Sequence, residues 1–205
     1  MAKIKLTKGE LKKQRDSLRQ FLRYLPTLQL KKQQLQMEIL HWNESLDEKL
    51  RLKNSKALAI LSWAGLLSET GISLEKWLVP QEVIISSRNI AGVDLSVFER
   101  AEFPPAEYDL FLTPPWVDPA IEFLREQVVL QEEIRVIEAA VQTLKRELRV
   151  TSQRVNLFEK VKIPLAEENI RLIKIYIGDQ MANAVGRCKI AKRKIEDLIL
   201  EEAVA

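Results

Sequence analysis

Residues 11–46 read LKKQRDSLRQFLRYLPTLQLKKQQLQMEILHWNESL. Leu11, Leu18, Leu25, Ile39 and Leu46 stand on one ladder of sevens, and Phe21, Leu28, Leu35 and Trp42 form a second, three residues out of phase. Apolar residues at 3-4 spacing lie on one narrow stripe of an α-helix, and such a stripe is buried only by another helix. A second tract supplies it. Ile134, Val141, Leu148 and Val155 make one ladder there, and Ile137, Leu144, Phe158, Leu165 and Leu172 the other. The chain carries both halves of a helix pair. Folding back on itself predicts an all-α architecture, a long antiparallel two-helix left-handed coiled coil built from the N- and C-terminal segments.

Working outward, Thr7 is placed to cap the first helix, and Glu10 three residues on completes a capping-box pattern. The helix is predicted to run to about Glu69, with Gly71 as its C-cap. Pro26 removes one backbone hydrogen bond and kinks it, while Leu25 and Leu28 keep the stripe in phase. Lys32 interrupts the first tract; Thr151, Lys162 and Asn169 interrupt the second. Asp118-Pro119 opens the second helix, which runs to about Leu200 with a kink at Pro164. Between the helices the pattern changes. Val83-Ile84-Ile85-Ser86-Ser87 is β-prone and Asn89-Ile90-Ala91-Gly92-Val93 carries turn chemistry, so a short hairpin is expected. Pro104-Pro105 and Pro114-Pro115 exclude a helix from the loop after the hairpin, and its aromatics are expected to pack onto the helices. One structural unit results, with a shaft helix over 1–70, a middle region over 71–118 and a second shaft helix over 119–205.

Composition narrows the function. The chain has 205 residues, of which 30% are charged and only 6% aromatic. One cysteine, Cys188, and one histidine, His41, cannot form an internal disulfide or a zinc cluster. No phosphate loop, nucleophile elbow, HExxH or CxxC motif occurs, so no catalytic, metal or cofactor residue is assigned. The most apolar run, Ala57 to Leu67, is shorter than the ~20 residues a spanning helix needs, so no direct membrane insertion is expected.

Charge gives the pair a direction. Residues 1–32 hold 10 Lys and Arg against 2 acids, whereas residues 99–138 hold 10 acids against 3 Arg. Arg187, Lys189, Lys192, Arg193 and Lys194 form a second basic run. If the helices are antiparallel, both basic segments are expected at one tip and the acidic segment toward the other. Basic residues in the first turns of a helix oppose its dipole, which calls for external compensation by an acidic protein socket, nucleic acid or anionic lipid. The tip has only Phe21 and Tyr24 as aromatics, so nucleic acid is not the expected partner.

Residues 154–164, RVNLFEKVKIP, resemble the characteristic RVNALEKVVIP-like stretch of the D subunit of V-type and archaeal-type rotary ATPases. Asn89-Ile90-Ala91-Gly92-Val93 is similar to that family's NIMGV-like turn. Thr7-Lys8 with Leu11, and LQLKKQQL at 28–35, are similar to its N-terminal segments, although Gln33-Gln34 stand where Arg-Asp is usual. The resemblance implies a noncatalytic central rotor shaft, cytoplasmic and peripheral to the inner (plasma) membrane. Its tip would enter a head of A and B subunits, and its middle would meet the F subunit and the membrane-side coupling subunit. It would transmit torque between ATP turnover and transport of H⁺ or Na⁺. Lys8, Lys12, Arg15, Arg187, Lys192 and Arg193 are then the expected head-facing charges. The alternative is a coiled-coil adaptor unrelated to ATPases, which would form a stable homodimer; a nucleic-acid-binding rod is a third class.

Overall fold

The computed structural model describes residues 4–61, 65, 74–109, 111 and 113–204. It is mostly helical, with one small antiparallel hairpin. Helix α1 spans Lys8–Ile60 and helix α2 spans Glu75–Leu78. Strands β1 (Glu82–Ile90) and β2 (Val93–Glu102) come next. Helix α3 (Val117–Leu157) then runs through a π-helical turn, Phe158–Lys162, into helix α4 (Ile163–Val204). Two compact units divide this chain: residues 1–30 with 152–205, and residues 31–151.

In the first unit, Thr7 caps α1 as expected: its Oγ1 accepts the Glu10 amide at 3.2 Å. The reciprocal half of the box is replaced, because the Glu10 carboxylate accepts from Gln14 Nε2 at 2.9 Å instead. Pro26 lies inside α1 without ending it. Beside it, the Thr27 hydroxyl donates to the Tyr24 carbonyl at 2.8 Å. Phe21 of α1 meets Phe158 of the π turn with ring centroids 5.3 Å apart and the rings tilted by 53°, a favoured aromatic geometry.

The π turn corrects the predicted stripe. Beyond Phe158 the ladders require Lys162, Leu165, Asn169 and Leu172 to face the partner helix. The structure keeps Asn169 buried but adds Ala166, Ile170 and Ile173 to it, while Leu165 is 47% and Leu172 45% exposed. Lys162 is exposed and its neighbour Ile163 is half-buried. The inward face has advanced by one residue, from Lys162, Leu165 and Leu172 to Ile163, Ala166 and Ile173, while Asn169 stays buried beside Ile170. The cause is the i→i+5 bond of the π turn, seen where the Ile163 amide donates to the Phe158 carbonyl. One π turn holds one residue more than an α turn, so the inward face advances by one. Its place is explained by Pro164, whose ring would strike the carbonyl four residues back in a regular helix and whose nitrogen has no hydrogen to give. Widening the preceding turn relieves that clash and removes a lysine from the stripe in the same step.

In the second unit, α1 and α3 run antiparallel. Lys49 pairs with Glu133 at 2.8 Å, Lys53 donates to Gln131 at 3.3 Å and Lys56 pairs with Glu126 at 2.6 Å. Partner numbers fall as α1 numbers rise, which sets the register. Each exposed pair contributes at most about 1 kcal/mol, so they align the helices more than they stabilise them. Packing comes from Leu35 and Ile39 of α1, Ala140 and Leu144 of α3, and Val93 and Leu95 of β2, all buried in one cluster. The hairpin therefore supplies core to this unit rather than hanging from it.

The expected hairpin is present and longer than its β-prone run. Ile90 pairs with Val93 and Asn89 with Asp94, leaving Ala91 and Gly92 as a two-residue turn. Both have positive φ, 52° and 71°, as a type I′ turn requires. Gly92 adopts this freely; Ala91 does so at a cost of about 1 kcal/mol. Asn89 offsets part of it by accepting the Gly92 amide at 3.2 Å and donating to Asp94 at 2.6 Å. A bulge between Ile84 and Ile85 leaves Glu99 of β2 without an opposite residue.

Two boundaries differ from expectation. Helix α1 ends at Ile60, where the Leu61 amide turns back to the Leu58 carbonyl at 3.2 Å. The expected end near Glu69 and cap at Gly71 lie outside the described residues. Helix α3 begins at Val117, one residue before Asp118, and Pro119 falls in its first turn, where a missing amide hydrogen costs nothing.

Candidate interaction surfaces

Helix α4 outruns its partner. Phe21 lies 13 residues into the chain beyond Lys8, and 13 residues past Phe158 is Arg171. Burial on α4 accordingly ends with Ile173, fully buried, and Ile177, half-buried. From Gly178 to Asp197 every residue is exposed. The inward face nevertheless continues at helical spacing through Met181, Ala184, Cys188, Ala191 and Ile195. Met181 is 52% and Ile195 57% exposed, with no described residue of this unit covering them. An overhang of this length reaches roughly 30 Å at about 1.5 Å per residue.

This geometry rearranges the predicted basic tip. Lys8, Lys12 and Arg15 are exposed on the first two turns of α1. Arg187, Lys192 and Arg193 are exposed on the overhang of α4, beyond the start of α1. The two sets succeed one another along α4 instead of lying side by side, because the register set by Phe21 and Phe158 places Lys8 near Arg171. Within the second set, Lys192 leans to Glu196 at 3.6 Å on its own helix. At the junction between the sets, the Arg171 guanidinium forks onto Glu168 at 2.7 and 2.9 Å. That hydrogen bond holds the Glu168 carboxyl below its usual range and raises the guanidinium further. The pair is formed at neutral pH and is lost as pH falls through the lowered Glu168 value. Both groups are in water, so the pair adds little to stability.

The second unit offers two grooves. One, of about 580 Å³, lies between α1 and the hairpin and is lined by Glu38, His41, Trp42 and Ser45 opposite Arg88 and the turn. His41 is exposed there. No nucleophile–base pair is formed in this groove. The other groove, about 680 Å³, is lined by Gln33, Gln36, Met37 and Leu40 of α1 and Leu148 of α3. Met37 is 69% and Leu40 59% exposed. The first tract gave no sign of this patch, because Met37 and Leu40 lie off its ladders; their spacing of three on one face was the available signal. Among the described residues no cluster of three or more His, Cys, Asp or Glu side chains could hold a metal ion. No described helix is long and apolar enough to cross a membrane.

Paired helices, a hairpin packed into the core of the second unit, and exposed charged and apolar faces define a mostly helical protein of the helix-pair class. The family model for the ATP synthase D subunit matches residues 10–193. The V-type ATP synthase D subunit of Borreliella burgdorferi is 47% identical over 195 residues, covering 95% of this chain and 96% of the relative. The D subunits of Chlamydia muridarum and Chlamydia pneumoniae are 34% and 33% identical, and each alignment covers more than nine-tenths of both chains. The chain belongs to the ATP synthase D-subunit family.

Proposed function

We propose that this chain is the central rotor shaft of a V-type ATP synthase, a noncatalytic component that carries torque between the A/B head and the ion-translocating ring. The observation that carries the reading is the α4 overhang, an apolar face with Arg187, Lys192 and Arg193 around it and no partner among the described residues of its own unit. Such a face suits an axle end surrounded by other subunits: the apolar residues slide against a bearing, and the charges answer to acidic side chains that change with nucleotide state. Lys8, Lys12 and Arg15 extend the basic surface toward the paired part of the helices. Torque needs stiffness and asymmetry about the axis. Helix pairing supports the first; Pro26, the π turn and Pro164 support the second. The F subunit and the membrane-side coupling subunit are assigned to the middle region, residues 71–118; in the same unit, the Met37–Leu40 groove on α1 gives a further apolar surface for a docking helix.

Co-purification tests this reading. The chain is expected to elute with A and B as one complex under conditions where A and B assemble. Replacing Lys8, Lys12, Arg15, Arg187, Lys192 and Arg193 together by glutamine is expected to weaken that association about tenfold or more, with a shallower salt dependence. A chain that never joins an assembled A/B head, or that forms a stable homodimer instead, contradicts it and favours the adaptor class.

A further inference from the structure

The loop between β2 and α3 holds one aromatic side chain that its own unit does not use. Phe111 is 99% exposed, more than any other large apolar side chain among the described residues. Its neighbours in sequence behave as the proline-aromatic pattern leads one to expect. Tyr108 packs on Trp77 with centroids 5.3 Å apart, and the Arg125 guanidinium lies 5.3 Å from the Phe103 ring. Arg125 also donates to the Trp77 and Pro104 carbonyls, at 3.1 and 2.6 Å. These contacts pin the base of the loop to α3.

The turn that carries Phe111 is braced as well. The Asp109 carboxylate accepts the Phe111 amide at 2.9 Å. The Asp109 carbonyl accepts both the amide and the hydroxyl of Thr113, at 3.0 and 2.8 Å. Pro114 and Pro115 stiffen the chain between this turn and α3. A single exposed apolar residue needs no explanation. A fully exposed ring on a residue whose own amide is held by Asp109 is different, because its backbone is already positioned. Positioning the backbone that carries an aromatic side chain removes part of the ordering cost of binding it. The charges nearby give the chemistry of the partner. Glu107, Asp109, Asp118 and Glu122 are all exposed around the loop and the start of α3. Two basic side chains lie by the loop, and both are engaged: Arg125 with carbonyls and the Phe103 ring, Lys76 over the Trp77 ring. An acidic setting repels anionic lipid headgroups and suits a basic rim on a protein.

We propose that Phe111 is an anchor that inserts into an apolar pocket, rimmed by lysine or arginine, on another protein subunit of the ATP synthase outside the A/B head. The inference rests on the shaft reading and names a contact for the middle of the chain.

The test places a photoreactive benzoylphenylalanine at position 111 of the full chain in the assembled complex. Irradiation is expected to link it to a subunit other than A or B, at residues beside lysine or arginine. That subunit, purified, is then titrated with the full chain. Phe111→Ser is expected to raise the Kd about thirtyfold, Phe111→Leu to raise it only a few-fold, and both to leave the circular dichroism of the chain unchanged. Crosslinks confined to lipid, crosslinks confined to A or B, or Phe111→Ser binding like wild type would overturn the proposal. Co-elution of A and B with the wild-type chain in the same preparation separates the two claims. If it is absent, the shaft reading has failed; if it is present while Phe111→Ser changes nothing, only the anchor has failed.

Discussion

Ile173→Ala is expected to lower the unfolding free energy by about 3 kcal/mol, whereas Leu172→Ala next to it should lower it by less than about 1 kcal/mol. Ile173 is fully buried against the helix pair of the first unit, so truncation loses its transfer energy and leaves a cavity. Leu172 is 45% exposed, and water fills the space its side chain vacates. The heptad ladders rank the two the other way, since Leu172 stands on a ladder and Ile173 does not. Urea titration of both variants decides the matter, provided the slope of each transition stays at the wild-type value. Equal losses, or a larger loss at Leu172, would mean that the inward face does not shift at the π turn.

Deleting Val161 addresses the cause of the shift. Val161 is half exposed within the π turn, and its removal leaves the number of residues that a regular α-helix requires. The stripe then stays in phase on both sides, but Pro164 is forced against a carbonyl it now avoids. The deletion alone is expected to cost about 3 kcal/mol, the cost of proline inside a regular helix. Combining it with Pro164→Ala is expected to recover most of that loss. Thermal melts of the deletion, the substitution and the pair form a double-mutant cycle with strong coupling. Additive losses would show that the π turn and the proline are independent.

These two experiments also mark where sequence reading stops. Apolar spacing identified the helices, and Leu35, Ile39 and Leu144 meet in a buried cluster as the ladders imply, joined by Ala140, which stands on neither ladder. Thr7 and Asn89–Val93 were legible because capping and tight turns are local: a few residues determine the geometry. A ladder of sevens, by contrast, assumes a constant number of residues per turn. One wide turn breaks that assumption for every residue beyond it, and proline marks the region of strain without stating how it is relieved. The residues most similar to the family pattern, 154–164, span this turn and its proline. The charges were legible as segments, but their placement depends on register. The stagger between α1 and α4 is set by the Phe21–Phe158 contact, which no local pattern announces. Phe111 was hidden for a related reason. Composition groups it with Phe103 and Tyr108, and only the hydrogen bonds of Asp109 separate an exposed ring on a positioned backbone from rings that pack.

A rotor shaft would turn inside a head that hydrolyses ATP. The most direct measurement fixes the A/B head to a surface and attaches a bead to the loop end of this chain. On addition of ATP the bead is expected to rotate in one direction in discrete steps, and to stop when ATP is removed. ATP hydrolysis by a head that contains the chain, while the bead shows only undirected fluctuation, would contradict the account.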